Sequence, residues 1–382
     1  MPKLLPTSYP KLRGFLSSHR SKDEVASITT EPDPIYFEDG RDSLKLNFDF
    51  IVRGLTERNL QLKFMKAGVY DSDGNLLTFR HLNHNGVGTP GIHTIGRYEL
   101  EGRDTLDIFN PFFRFPNEYP LDHLRYMFTF FDVESKDEFY YGNIIVKPIQ
   151  FKQKVTLSLP MRGILTVLDG HDFYSHHRRF AMSIVREFTS NKFYSNFSRY
   201  ALDFTVVGSD GNTREMLEDE YRRNYDFHFD DITKFYTHGA HVFAPAGGEI
   251  VDIVSGLEDL YESKFNLESS VKKNTIEEIA GNYVVIKHNE HEYSHLFHLM
   301  KDSVKVKIGD TVNSGDFIAK VGFSGASTTY SHLHYQLMNG KDFLNDNPLP
   351  CKFSNVRLMI GSKSIEYDTL PIDTGDFVTA NR

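Results

Sequence analysis

A single cysteine, Cys351, stands in 382 residues, and tryptophan is missing altogether. One thiol excludes an internal disulfide and any zinc cluster built on thiolates, so a metal on this chain must use histidine and carboxylate ligands. Long apolar runs are missing as well. No stretch reaches the ~20 residues of a membrane helix. The opening MPKLLPTSYPKLRGFLSSHRSKDE holds no unbroken apolar core of the roughly 7–15 residues that a signal peptide carries. The expectation is a protein without an integral membrane segment, either cytoplasmic or exported by a route that needs no signal peptide. Basic charge is not in excess: 43 Lys and Arg face 52 Asp and Glu, a formal charge of -9. That balance disfavours nucleic acid and general basic docking on an anionic membrane.

What is abundant is Phe and Tyr, 32 and 20 residues, which favour strands. The length implies roughly two to three domains. Residues 1–34, polar and broken by Pro and Gly, read as a loose arm. Residues 35–158 read as an antiparallel β-sandwich. SLKLNFDFIVRG alternates apolar and polar through Leu44, Leu46, Phe48 and Phe50, and LQLKFMKAGVYDSDGNLLTF turns back across Asp73-Gly74. RYMFTFFDV, YYGNIIVKPI and KVTLSLP read as further strands. His81, His84 and His93 lie among turn residues and read as exposed loop side chains. Residues 159–360 read as a second, compact antiparallel β domain, its short apolar runs punctuated by Gly, with insertions near 209–236 and 257–280. Within it AMSIVREF suggests a short helix and RYALDFTVVG a strand. Val304, Val306 and Ile308 alternate with Lys305 and Lys307, the pattern of a half-buried strand. Residues 361–382 read as a tail. The predicted fold class is mainly β throughout.

The chemistry gathers near the end of the second domain, at His332-Leu333-His334-Tyr335-Gln336. A strand repeats every two residues, so His332 and His334 leave the same face. Two imidazoles held side by side suit a metal, or a metal ligand beside a proton-transfer group. Metal-assisted amide hydrolysis needs three protein ligands, an open position for water, and polar groups that move a proton and steady an oxyanion. His334, Asp203 and an upstream histidine are candidate ligands, with His298 and His332 as the proton-transfer pair.

The series RYALDF, VFAPAGGEIVDI, GNYVVIKH, EYSHLFHL and VKVKIGDTVNSGDFIAKVGFSGASTTYSHLHYQLM resembles, in order and spacing, the lysostaphin-type zinc metallopeptidases, which are peptidoglycan endopeptidases of compact β fold (a duplicated hybrid motif). The resemblance covers about 165 to 355, and S-G-A-S followed by S-H-L-H is its most specific part. It implies Zn2+ held by Asp203, His334 and a further histidine. It implies that His332 and His298 face substrate and water, and that the substrate is a peptide or peptidoglycan. His295 is an extra histidine, read as a surface residue or a neighbour supporting the site. The family's usual first ligand stands four residues before the aspartate, where this chain has Arg199, and a guanidinium has no lone pair to give. Some relatives take that ligand from a segment ending H-R-R. Ser175-His176-His177-Arg178-Arg179 supplies it here, so His177 is the implied third ligand with His176 beside it.

Bland readings stand next to these. Asp203 can pair with Arg199, His176 and His177 can belong to a polar loop, and His241 and His288 can be structural or exposed. A non-catalytic binding module on a degenerate scaffold is the alternative to the peptidase. A phosphocarrier acting through His298 and His332 is a third class, disfavoured because a phosphoryl acceptor has no need of Asp203 and His334.

Overall fold

The computed structural model describes residues 24–83, 97–180, 182, 186, 196–215, 232–259, 279–325 and 330–381. His84, His93, most of AMSIVREF and much of both predicted insertions lie outside them. The chain divides into two compact units: Met1–Phe37 with Phe48–Ile149, and Glu38–Asn47 with Gln150–Arg382.

The first unit is a sandwich of antiparallel strands. One sheet joins Ala26–Glu31, Asp49–Gly54 and Thr105–Phe109. The other runs Glu138–Val146, His123–Asp132, Leu60–Tyr70, Leu76–Asn83, with Glu99–Leu100 also on Leu60–Tyr70. Alternating aromatics fill the space between the sheets. Phe50 meets Tyr126 and Phe128 edge to face at 4.7 and 4.9 Å between ring centroids, a geometry that suits the ring quadrupoles. The turn at Asp73-Gly74 is as expected: Gly74 has φ 78°, and Asp71 Oδ1 accepts the amides of Asp73 and Asn75. His81 is exposed as expected, although it sits on the strand Leu76–Asn83 rather than in a loop. The strand Ala26–Glu31 falls within residues read as an arm.

The second unit is built on one long antiparallel sheet. Its order is Thr311–Val312, Gly248–Val254, Asn282–Asn289, Glu292–Leu299, Leu333–Met338, Leu202–Val207, Ile164–Asp169, Phe377–Ala380, Phe353–Ile360, Lys363–Leu370. A separate ladder pairs His241–Phe243 with Phe317–Lys320. Residues 361–382, read as a tail, thus carry two strands of the sheet, with Leu370, Ile372 and Val378 buried. KVTLSLP forms only an isolated bridge, Leu157 to Phe353. The amides of Lys154 and Val155 go instead to the buried carboxylate of Glu292, at 2.7 and 2.8 Å. Val304–Ile308 is not a strand either. Val304 and Val306 are half-buried, but Ile308 is exposed.

Residues Glu38–Asn47 belong to this unit, which breaks the alternation predicted across SLKLNFDF. Asn47 is buried and donates to the carbonyls of His171 and Arg199, at 3.3 and 3.4 Å. One glycine is indispensable to the sheet's far side. Gly281 has φ 65°, and a Cβ there would lie 2.4 Å from the carbonyl carbon of Ser324. Gly281→Ala is expected to lower the urea midpoint by an amount worth more than about 1 kcal/mol, since both conformation and space oppose a side chain.

Candidate metal centre

Four adjacent strands build the site: Glu292–Leu299, Leu333–Met338, Leu202–Val207 and Ile164–Asp169. Their register does most of the placing. Asp203 lies directly opposite His334, and His334 directly opposite Phe297. Residues opposed in antiparallel strands share a face, so these three side chains meet. Phe297 stacks on the His334 ring, centroids 5.3 Å apart and planes 6° apart. A register shift between Val167 and Asp169 brings Asp169 opposite Asp203, the local effect of a β-bulge.

Asp203 is buried, and three imidazoles crowd its carboxylate. Oδ1 lies 3.0 Å from His334 Nδ1 and 3.5 Å from His177 Nε2, while Oδ2 lies 3.4 Å from His332 Nε2. Oδ2 also accepts the hydroxyl of Tyr330 at 3.1 Å. His298 completes the group. Its ring centroid is 4.9 Å from that of His332 and 5.8 Å from that of His334. Regular alternation would send Phe297 and His298 to opposite faces. His298 has φ 62°, a left-handed conformation uncommon for a side-chain-bearing residue, and this turns its ring to the His334 side. Backbone strain of this kind concentrates at functional sites.

The backbone fixes which nitrogen each ring presents. His177 Nδ1 donates to Gly170 O at 3.1 Å, His298 Nδ1 to Ser324 O at 2.9 Å, and His332 Nδ1 to Tyr330 O at 2.8 Å. A carbonyl only accepts, so Nδ1 carries the proton and Nε2 keeps its lone pair in all three neutral rings. His334 is held differently, with Nε2 at 3.1 Å from Gln336 Oε1.

Burial, helped by the neighbouring imidazoles, holds His177 and His298 well below the usual histidine range, and burial lowers His332. Burial alone would raise Asp203, but His332, His177 and His334 outweigh it and hold the carboxyl well below its ordinary range. His177, His298 and His332 are thus shifted toward their neutral forms and Asp203 toward its ionised form. That is the protonation state in which these groups bind metal. The lone pairs of His177 and His332 converge on carboxylate oxygens, an arrangement suited to a cation.

Two separate groups of donor atoms each fall within 4.8 Å, His298, His332 and His334 in one and Asp169, His176, His177 and Asp203 in the other, and the 3.0 Å approach of His334 Nδ1 to Asp203 Oδ1 links them. His177 is buried and faces Asp203, whereas His176 is 68% exposed at the side chain with Nδ1 against the Asp169 carboxylate. Arg199, at the family's ligand position, is fully buried and donates to Asn47 O at 3.5 Å.

The other histidines take structural places. His295 is fully buried rather than at the surface, because its strand is interior to the sheet. It contacts Gly340 O at 2.9 Å, and burial pushes its pKa down to about 4. His288 bridges Gly247 O and Ser294 Oγ, and His241 is exposed. Tyr330 was missed from sequence, although Tyr330, His332, His334 and Gln336 share one period-two row. His171 was missed too; it pairs with Glu38 at 2.5 Å.

No curated protein matches the chain. Solved structures similar to it include three peptidases. The catalytic domain of the antimicrobial peptidase lysostaphin from Staphylococcus simulans is 22% identical over 30% of this chain and 76% of that chain, with TM-score 0.21. A zinc containing peptidase from Vibrio cholerae is 15% identical over 61% and 82%, with TM-score 0.20. A putative peptidase M23 from Pseudomonas aeruginosa is 12% identical over 84% and 90%, with TM-score 0.27. Residues 231–346, which carry His298, His332 and His334, match the model of peptidase family M23, and over that segment the resemblance to the lysostaphin-type peptidases holds.

Proposed function

We propose that the chain is a zinc-dependent endopeptidase that hydrolyses peptide bonds in peptidoglycan peptides. The observation that carries this reading is the convergence of His177, His334 and Asp203, three metal-competent donors, beside two further imidazoles on the same face. Two imidazoles and one carboxylate match the donor set of catalytic zinc, which leaves a fourth position open. When bound there, zinc supplies a polarised scissile carbonyl and a water acidified toward about pH 7.

The remaining work falls to this chain's own side chains. His332 Nε2 accepts the proton of the attacking water, and the imidazolium so formed is stabilised by Asp203 Oδ2, 3.4 Å away. Tyr330 keeps that oxygen in place through its hydroxyl and keeps the His332 ring in place through its carbonyl. His298 Nε2 orients the water as an acceptor. Proton return from His332 to the leaving amine completes the cycle.

The test pairs zinc content with cleavage of peptidoglycan fragments and crosslink peptides. His332→Ala is expected to retain zinc and to lose about 10²–10⁴-fold in kcat/KM, the usual share of a general base. Wild-type protein that takes zinc but cleaves no wall preparation and no peptide would replace this reading with a binding module.

A further inference from the structure

His177, His298 and His332 are each pinned by a main-chain carbonyl on Nδ1. His334 reverses the pattern. Its Nδ1 faces Asp203, and its Nε2 faces the side-chain amide of Gln336. Phe297 stacks flat against the ring and fixes its plane. Oxygen acceptors lie at both nitrogens, Asp203 Oδ1 3.0 Å from Nδ1 and Gln336 Oε1 3.1 Å from Nε2. A neutral ring has one proton for the two of them. A cation between Nδ1 and Asp203 leaves that proton to Gln336. The amide is fully buried, and its Nε2 donates to the Met338 sulfur at 3.0 Å, which turns Oε1 toward His334. A thioether offers no proton, so the flipped amide would set its oxygen against a sulfur with no donor between them. With an oxygen acceptor held at Nε2, the ring can carry Nε2–H and present Nδ1 bare once a cation takes the place of the proton between Nδ1 and Asp203.

We infer that Gln336 is a positioning residue that sets His334 as an Nδ1 donor toward the metal, an inference that rests on the zinc reading of the site. Strand alternation explains why position 336 can do this: it lies two residues on from His334, on the same face. A neutral amide also avoids placing a second buried negative charge beside Asp203, whose desolvation would be costly. Metal-bound histidines are commonly oriented by an acceptor on the other ring nitrogen.

Two near-isosteric variants separate this role from simple packing. Gln336→Met removes the acceptor and keeps the volume, and Gln336→Glu keeps an acceptor oxygen. Chelator competition should show zinc affinity falling about 10–100-fold in Gln336→Met and staying near wild type in Gln336→Glu. Nitrogen-15 NMR of zinc-loaded wild type should show His334 protonated at Nε2 and free of a proton at Nδ1. Wild-type affinity in Gln336→Met, or a zinc-loaded wild-type His334 with its proton on Nδ1, would overturn the inference. Absence of zinc binding in wild type would remove the zinc reading instead, whereas zinc bound equally well by wild type and Gln336→Met would overturn this inference alone.

Discussion

His177→Ala is expected to strip the protein of zinc, whereas His176→Ala leaves about one zinc per chain, the content expected of a catalytic site. The two histidines are neighbours in sequence and differ in exposure, orientation and the partner each ring faces. His177 is 2% exposed, its Nδ1 is tied to Gly170 O, and its Nε2 points at Asp203 Oδ1. A ring so oriented loses almost no freedom on binding, and it already holds the neutral form that a metal requires. His176 projects outward onto Asp169 and would lose both solvent and rotational freedom. Losing one of three ligands should cost more than the about 10–100-fold that follows loss of an outer hydrogen-bond partner. Peptidase activity in His177→Ala should fall with the metal. Elemental analysis on dialysed protein is the measurement. Zinc retained in His177→Ala would move the ligand set to Asp169, His176 and Asp203, the other members of that donor group.

The parts of this site that were legible in the sequence are those governed by local geometry. His332 and His334 were paired by the two-residue repeat of a strand, and the structure places His334 on the strand Leu333–Met338 with His332 immediately before it. The same rule would have reached Tyr330 and Gln336, two residues on either side, had the row been read past its histidines. Asp203 came from the resemblance alone, since an isolated Asp in a strand has no local signature. The direction of His298 was beyond any alternation argument. It depends on φ 62° at one residue, stabilised by Gly322 N on its carbonyl and Ser324 O on its ring. The strand expected at Val304–Ile308 failed for a similar reason. Its pattern was right, but strand formation needs a ladder partner, and of this stretch Lys305 N donates to Ile318 O. Least legible was the join of Glu38–Asn47 to the second unit, because it is made by charges more than a hundred residues apart in sequence.

That join sets up the largest expected loss of stability. Glu38→Ala is expected to destabilise the protein by about 3–5 kcal/mol, the range for stranding one member of a buried ion pair. Glu38 and His171 are 5% and 6% exposed at the side chain and 2.5 Å apart. Burial disfavours both charges, yet the mutual attraction wins on both sides. It raises His171 above its ordinary 6.5 and, with help from Lys45, lowers Glu38 below its ordinary 4.5. The signs then fix the pH window. His171's contribution is complete below 6.5 and is lost as pH rises through its raised folded value. Glu38's contribution is complete above 4.5 and is lost as pH falls through its lowered folded value. The gap between wild type and Glu38→Ala in urea denaturation should therefore be widest in mildly acidic solution and shrink toward alkaline pH. Glu38→Leu combined with His171→Leu should recover much of the loss, because an apolar pair needs no desolvation. A loss under about 1 kcal/mol, the level of a solvated pair, or one flat in pH, would show that the pair is not ionised in the fold. The consequence reaches the metal centre through the chain itself. Gly170, next to His171, accepts from His177 Nδ1, and Asn47, in the same Glu38–Asn47 segment, donates to the carbonyls of His171 and Arg199. Releasing Glu38 frees one anchor of the loop that aims His177 at Asp203, so the same variant should also bind zinc more weakly.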